Sequence, residues 1–79
     1  NSFNNGKYNI DKKIIGRRLK EFRKEKNITQ EELASTLNTT HSTISAYESG
    51  KTTILTAFAY EICKRYNISM DYLCGRTLI

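Results

Sequence analysis

The sequence predicts an all-α fold of five short helices within one domain. The 79 residues include no proline, and the apolar residues recur at three- and four-residue spacing, which is the period of helices that bury one face. Small polar residues of the kind that cap helix N-termini stand before several of these stretches. A chain of this length is expected to bury a single small hydrophobic core.

The first helix is predicted to follow Asp11, which serves as its N-cap, and to continue to about Lys26, where Asn27 ends it. Apolar residues at positions i, i+4 and i+7 form one stripe along this helix, with basic residues around it. This stripe is expected to face the core and consists of Ile15, Leu19 and Phe22.

The second helix is predicted to begin at Thr29, because Thr29 and Glu32 have the spacing of a capping box. A tight turn is expected after this helix, at Asn38. The turn requires a positive φ, which asparagine adopts at lower cost than most residues other than glycine. The inward face of the second helix is predicted to consist of Leu33, Ala34 and Leu37.

A third helix is predicted between Thr40, its N-cap, and Gly50, its C-terminal stop, with Ile44 and Tyr47 facing inward. Tyr47 is interpreted as a core residue rather than a contact residue. The outward face is then left with small or polar side chains, and these are His41, Ser42, Ser45, Ala46 and Ser49.

A fourth helix is expected from about Thr53 to Tyr66, and a last short helix from Ser69 to Cys74, closed by Gly75. The polar residues 1–10 are expected to form a loose arm, and residues 76–79 a short tail, on either side of a domain over 11–75. The inward residues of the fourth helix are predicted to be Leu55, Phe58, Ile62 and Tyr66.

The formal net charge is +5, and the positive charge is concentrated between residues 12 and 26, where Glu21 and Glu25 are the acidic residues. This concentration is consistent with a polyanionic partner, but it is equally consistent with a solvated helix face. Charge alone does not decide between the two. The basic residues of this segment are Lys12, Lys13, Arg17, Arg18, Lys20, Arg23, Lys24 and Lys26.

Other classes of protein find little support in the sequence. Cys63 and Cys74 lack the companions that a zinc site needs, so free core thiols are expected, with a redox-sensing pair as the alternative. His41 has no nucleophile or carboxylate pair beside it, so no enzyme, cofactor or metal is expected. No apolar run is long enough to span a membrane and no signal peptide is evident, so a cytoplasmic protein is expected.

Five fragments of the chain, in order, resemble the helix-turn-helix domain of lambda-repressor-like and Cro-like regulators, the XRE family. The likeness extends over about residues 11 to 75, and its strength lies in the order and spacing of the fragments. It implies a five-helix domain in which the second and third helices form the helix-turn-helix. The fragments are residues 15–26, 28–34, 42–45, 47–51 and 67–73.

The resemblance implies roles for individual residues. Base contacts at the start of the third helix fall on His41, Ser42, Ser45 and Ala46. An ion pair that ties the first helix to the third corresponds to Arg23 and Glu48. Contacts with backbone phosphates fall on Gln30, Thr40, Thr43, Ser49, Lys51 and Arg23.

Several of these roles have plainer alternatives. Gln30 could be an exposed residue of the first helical turn, and Glu48 a surface acid. His41 could donate to or accept from a base, or it could simply face solvent. The chain also departs from the family pattern, with Asn38 in place of glycine in the turn and Ile54 in place of a proline.

The third helix has no Arg, Lys, Gln or Asn on its exposed face. Bidentate side chains contribute about 1–3 kcal/mol of base discrimination each, so discrimination at each position is expected to be modest. Affinity is expected to depend mainly on phosphate contacts and on DNA shape.

The leading functional hypothesis is a regulator of transcription, a repressor that binds double-stranded DNA as a homodimer on a palindromic operator. The alternative is an antitoxin that binds a toxin partner protein and regulates its own synthesis through DNA. The chain is also compatible with the DNA-binding part of a longer regulator. Dimer contacts are expected in the last helix and tail, at Met70, Leu78 and Ile79.

Overall fold

The computed structural model describes residues 11–76, and within them it contains helices and no strand. The predicted all-α class and the number of helices are therefore confirmed. The expected arm at 1–10, together with Leu78 and Ile79, lies outside the described residues. The helices are α1 (Lys12–Glu25), α2 (Gln30–Thr36), α3 (His41–Ser49), α4 (Thr56–Tyr66) and α5 (Met70–Leu73).

Side chains cap four of the five helices at the residues that the sequence predicted. The Asp11 carboxylate accepts from the first backbone N–H groups of α1. In the capping box of α2, the Glu32 N–H donates to Thr29 Oγ1 at 3.0 Å and the Thr29 N–H donates to Glu32 Oε1 at 2.8 Å. Thr40 and Ser69 accept in the same way at the starts of α3 and α5. Each cap satisfies a backbone N–H that has no partner within its helix.

Asparagine and glycine end the helices in the left-handed region of backbone conformation. Asn27, Asn38 and Asn67 have φ angles of 60°, 57° and 56°, and Gly50 has a φ of 80°. The turn predicted at Asn38 is therefore present, and its positive φ brings α3 back against α2. Asparagine tolerates this conformation better than most residues that have a Cβ atom.

The predicted start of the fourth helix at Thr53 is wrong, because α4 begins at Thr56. Leu55, predicted to face inward, is 58% exposed, whereas the preceding Ile54 is 8% exposed and belongs to the core. Leu55 has an extended backbone, with φ −67° and ψ 142°. Successive side chains on extended backbone point to opposite sides, so only one of these two neighbours can enter the core.

The core lies where α3 packs against both α1 and α2, and α5 closes it from the side of α1. Tyr47 is buried, as expected, with its ring edge-on to that of Phe58 at a centroid distance of 6.1 Å. Phe22 makes a similar contact with Tyr66 at 5.0 Å, which joins α1 to α4. The side chains that are almost completely buried are Phe22, Leu19, Leu33, Ile44, Ile62 and Leu73.

Gly16 allows α1 and α3 to approach each other closely. A Cβ atom at this position would overlap the backbone carbonyl oxygen of Tyr47 and would lie 2.8 Å from that of Glu48. These carbonyl groups belong to the last turn of α3 and cannot move aside as a flexible side chain could. The absence of a side chain at residue 16 therefore sets the distance between the two helices.

The two cysteines are free, half-buried and packed against the core. Burial raises the pKa of the Cys63 thiol, and the neighbouring Cys74 raises it further. A raised pKa reduces the fraction of reactive thiolate at neutral pH. This environment agrees with the expectation of core thiols.

Replacing Gly16 by alanine should destabilise the protein, although this change at an open helical site stabilises by about 1 kcal/mol. The added methyl group overlaps the α3 backbone, so we expect a loss of about 1–3 kcal/mol in the free energy of unfolding. Urea denaturation followed by circular dichroism measures it. The control Lys20→Ala, at an exposed site of α1, should change stability by less than about 0.5 kcal/mol. A Gly16→Ala protein as stable as wild type would contradict the close approach.

Candidate nucleic-acid interface

The outward face of α3 borders a shallow, open groove of about 230 Å³. The four residues predicted to contact bases all line this groove, together with two of the predicted phosphate contacts. The structure therefore brings the start of α3 and the loop that follows it onto one surface. The lining residues are His41, Ser42, Ser45, Ala46, Ser49 and Lys51.

A nearly buried ion pair between Arg23 and Glu48 holds α3 against α1. Arg23 Nε donates to Glu48 Oε2 at 2.6 Å, and Arg23 Nη2 donates to Glu48 Oε1 at 3.1 Å. The two side chains are 11% and 4% exposed. The hydrogen bond to Glu48 raises the pKa of Arg23, against the opposing effect of burial. This is the two-pronged geometry that makes arginine–carboxylate pairs strong and directional.

Arg23 also stabilises the chain between α1 and α2. Its Nη1 donates to the backbone carbonyl oxygen of Ile28 at 2.8 Å. All three guanidinium nitrogens therefore have partners within the protein. An arginine held in this way positions α3, and little of its surface remains for a phosphate.

Gln30 links the nearly buried ion pair to the exposed residue His41 through hydrogen bonds. Its Nε2 donates to Glu48 Oε1 at 2.9 Å, and its Oε1 lies 2.6 Å from His41 Nε2. A continuous chain of hydrogen bonds thus runs from Arg23 through Glu48 and Gln30 to His41. The sequence suggested a phosphate contact for Gln30 and no relation to His41, because nothing in the local pattern shows that the starts of α2 and α3 lie side by side.

The hydroxyl groups near the two ends of α3 form hydrogen bonds within α3 and with its N-cap residue. The N–H of Thr43 donates to Thr40 Oγ1 at 3.2 Å, and the two hydroxyl oxygens are 2.9 Å apart. Ser49 Oγ donates to the carbonyl oxygen of Ala46 at 3.2 Å. These three residues shape the two ends of α3, and their exposed or half-exposed positions keep them at the surface.

The loop after α3 contains Lys51, an expected phosphate contact, and lies beside a second lysine, Lys12, for which the resemblance implied no role. Lys51 is exposed beside the left-handed Gly50, and Lys12 Nζ donates to the carbonyl oxygen of Lys51 at 3.4 Å. Lys12 belongs to the basic segment of α1, but only the packing of α1 against α3 brings it to this loop. Two lysine residues are therefore found at the C-terminal end of the groove.

Other kinds of site are not evident between Asp11 and Arg76. Within that stretch, no three His, Cys, Asp or Glu side chains are grouped so that they could hold a metal ion. None of the five helices there has the length and apolar character required to cross a bilayer.

Two packed helices joined by a tight turn, with the second one exposed along a groove, define the class of DNA-binding helix-turn-helix domains. The model of the helix-turn-helix family matches residues 19–73. The chain therefore belongs to this family, in its XRE or Cro-like branch.

Two curated relatives are similar to the chain. One is the HTH-type transcriptional regulator ImmR of Bacillus subtilis, 37% identical over 62 residues, which are 78% of this chain and 49% of that protein. Another is the antitoxin PezA of Streptococcus pneumoniae serotype 4, 32% identical over 62 residues, which are 78% of this chain and 39% of that protein. The chain thus spans less than half the length of either relative. No solved structure matches it significantly.

Replacing Glu48 by glutamine should strongly destabilise the protein, because it leaves the Arg23 guanidinium nearly buried without its counter-charge. We expect a loss of about 3–5 kcal/mol in the free energy of unfolding, the usual cost of breaking a buried pair from one side. Urea denaturation measures it. The matched control is Glu61→Gln, which removes an exposed pair with Arg65 at 3.1 Å and should cost about 0.5 kcal/mol or less.

The double variant Arg23→Leu/Glu48→Leu separates lost attraction from the penalty of an unpaired buried charge. Removing both charges should recover much of the stability that Glu48→Gln loses. Equal effects of Glu48→Gln and Glu61→Gln would show that the Arg23–Glu48 pair does not hold α3 in place.

Proposed function

We propose that the chain docks α3 into the major groove of double-stranded DNA and acts as the DNA-binding part of a transcriptional repressor. The observation that carries the proposal is the exposed α3 groove held rigidly by the Arg23–Glu48 pair. The relative ImmR, a transcriptional regulator by name, supports the regulatory role. A DNA target implies a cytoplasmic location if the protein, like these two relatives, belongs to a bacterium.

The base contacts in this proposal are His41, Ser42, Ser45 and Ala46, which all line the groove. Serine and alanine offer single hydrogen bonds and methyl contacts, so each contributes little discrimination. His41 is the largest of the four, and the Gln30 side chain holds it by a hydrogen bond. The preference for particular bases in the target site should therefore depend more strongly on His41 than on the other three residues.

Phosphate contacts in this proposal surround the groove. Lys51 and Lys12 supply charge at its C-terminal end. We assign Arg23 a bracing role alone, because its guanidinium is nearly buried and bonded to Glu48 and Ile28. Uncharged phosphate contacts are assigned to Gln30, Thr40, Thr43 and Ser49; Gln30 has a second amide hydrogen for this contact, besides the one that it donates to Glu48.

We further propose that the protein binds a palindromic operator as a homodimer. One such domain offers an interface too small for tight specific binding, and two of them bind half-sites about one DNA turn, roughly 34 Å, apart. Met70 in α5 is 44% exposed, which suits a contact between copies. Leu78 and Ile79, the other residues expected in this contact, lie outside the described residues.

A second candidate function is that of an antitoxin that also binds DNA, which the similarity to the antitoxin PezA favours. In that case a toxin partner protein would bind in addition to DNA. Co-expression of the chain with the product of the adjacent gene, followed by co-purification, tests this. A stable complex supports the antitoxin function, and two independently eluting proteins oppose it.

Selection of bound duplexes from a random library at fixed salt tests the DNA-binding proposal. We expect a converged palindrome bound by two copies of the chain, with affinity that falls steeply as salt rises. Replacing Ser45 by glutamine should change the preferred bases at one position of each half-site. Retention of random duplexes without convergence would contradict sequence-specific recognition.

Lys51→Ala should weaken binding to all duplexes alike and lower the slope of log affinity against log salt by about one unit. The reason is that one fewer counterion is released when one phosphate contact is lost. Lys64→Ala is the matched control, since it removes the same charge from an exposed position of α4 and should leave the slope nearly unchanged. Equal slopes for all three proteins would remove Lys51 from the interface.

A further inference from the structure

The hydrogen bonds behind His41 determine which of its ring nitrogens carries a proton. Glu48 is a carboxylate that already accepts from Arg23, and a carboxylate can only accept. The Gln30 atom that faces Glu48 must therefore be the amide nitrogen. This assignment follows from the chemistry of the partner and does not depend on which amide atom is named oxygen.

The orientation of the Gln30 amide then fixes His41. With its nitrogen toward Glu48, Gln30 presents its carbonyl oxygen to His41 Nε2 at 2.6 Å. A carbonyl oxygen can only accept, so Nε2 must carry the hydrogen. In a neutral imidazole the other nitrogen, Nδ1, is then a bare acceptor.

The second ring nitrogen of His41, Nδ1, is available to a ligand. His41 is exposed, it is the first residue of α3, and its side chain lines the groove. No group within residues 11–76 forms a hydrogen bond with Nδ1. Gln30 and His41 thus present one acceptor to the surface where the proposed function places DNA.

We propose that His41 reads a base through Nδ1 as a hydrogen-bond acceptor and selects an exocyclic amino group, that of adenine or cytosine. In the major groove these are the two bases that offer a donor, whereas guanine offers only acceptors at N7 and O6 and thymine an acceptor at O4. For this base contact, Gln30 is a positioning residue that acts through His41. The inference rests on the proposed function and adds one detail to it, namely that the base donates and His41 accepts in this contact.

The tautomer is measured without DNA. His41 is the single histidine of the chain, so ¹⁵N-labelled histidine gives one pair of ring signals in a long-range ¹H–¹⁵N spectrum at a pH where the ring is neutral. We expect protonated Nε2 and unprotonated Nδ1. Gln30→Met, which keeps the length of the side chain and removes both hydrogen bonds, should give a mixture of the two tautomers.

Thr36→Met is the matched control, because it places the same side chain at an exposed position of α2. In this variant the His41 ring should keep the wild-type tautomer. A wild-type ring protonated mainly on Nδ1 overturns the inference. A Gln30→Met ring identical to wild type overturns the role of Gln30.

The base preference is measured by selecting bound duplexes with wild type, His41→Ala, Gln30→Met and Thr36→Met. The position that loses its base preference in His41→Ala is the position that His41 contacts. In wild type that position should be enriched in adenine or cytosine by about two- to tenfold, the factor that one hydrogen bond supplies. Gln30→Met should relax the same position, and Thr36→Met should not.

The possible failures are distinguishable. Guanine or thymine at that position, or no position affected by His41→Ala, overturns the present inference and leaves the proposed DNA-binding function intact. No duplex retained by wild type overturns both the function and the base contact. In that case the tautomer spectrum still decides whether the hydrogen-bond chain from Arg23 to His41 exists.

Discussion

The nearly buried pair of Arg23 and Glu48 is the interaction on which the geometry of this domain depends. It joins α1 to the last turn of α3, and through Gln30 it reaches the first turns of α2 and α3. The pair lies in the interface where α1 approaches α3 closely at Gly16, a position at which a Cβ atom would overlap the α3 backbone. Close packing and the ion pair thus act on the same helix interface, and the hydrogen bonds from Glu48 through Gln30 orient His41 at the start of α3.

In the proposed function, the residues that hold α3 in place differ from those that contact bases. The nearly buried ion pair lies behind α3, while the side chains that line the groove, His41 and Lys51 apart, end in hydroxyl or methyl groups. A helix of this kind contributes limited base discrimination by itself. His41 differs from the other groove residues because a hydrogen-bond chain holds it from behind, and a held side chain loses less conformational freedom when it meets a base.

The features that local sequence patterns predicted are those that neighbouring residues decide, whereas the Arg23–Glu48 pair, which joins distant parts of the chain, was expected from the family resemblance alone. The capping box of Thr29 and Glu32 and the positive φ of Asn38 depend on residues a few positions apart, so their patterns are visible in the chain. The boundary of α4 was predicted wrongly, because both Ile54 and Leu55 are apolar and fit the core equally well by composition. The extended backbone at Leu55 allows only one of the two to enter the core, and the packing of this segment against the helices decided that it is Ile54.

The sequence by itself determined the five helices, their caps and turns, the family and the set of polar residues around α3. Only the tertiary structure decided how those residues act together: the contact of Lys12 with the loop at Lys51, and the Gln30 link between Glu48 and His41. The physical reason is the range of the interactions. Helix caps form within one turn of the chain, whereas these hydrogen bonds join residues that the packing of α1, α2 and α3 brings together.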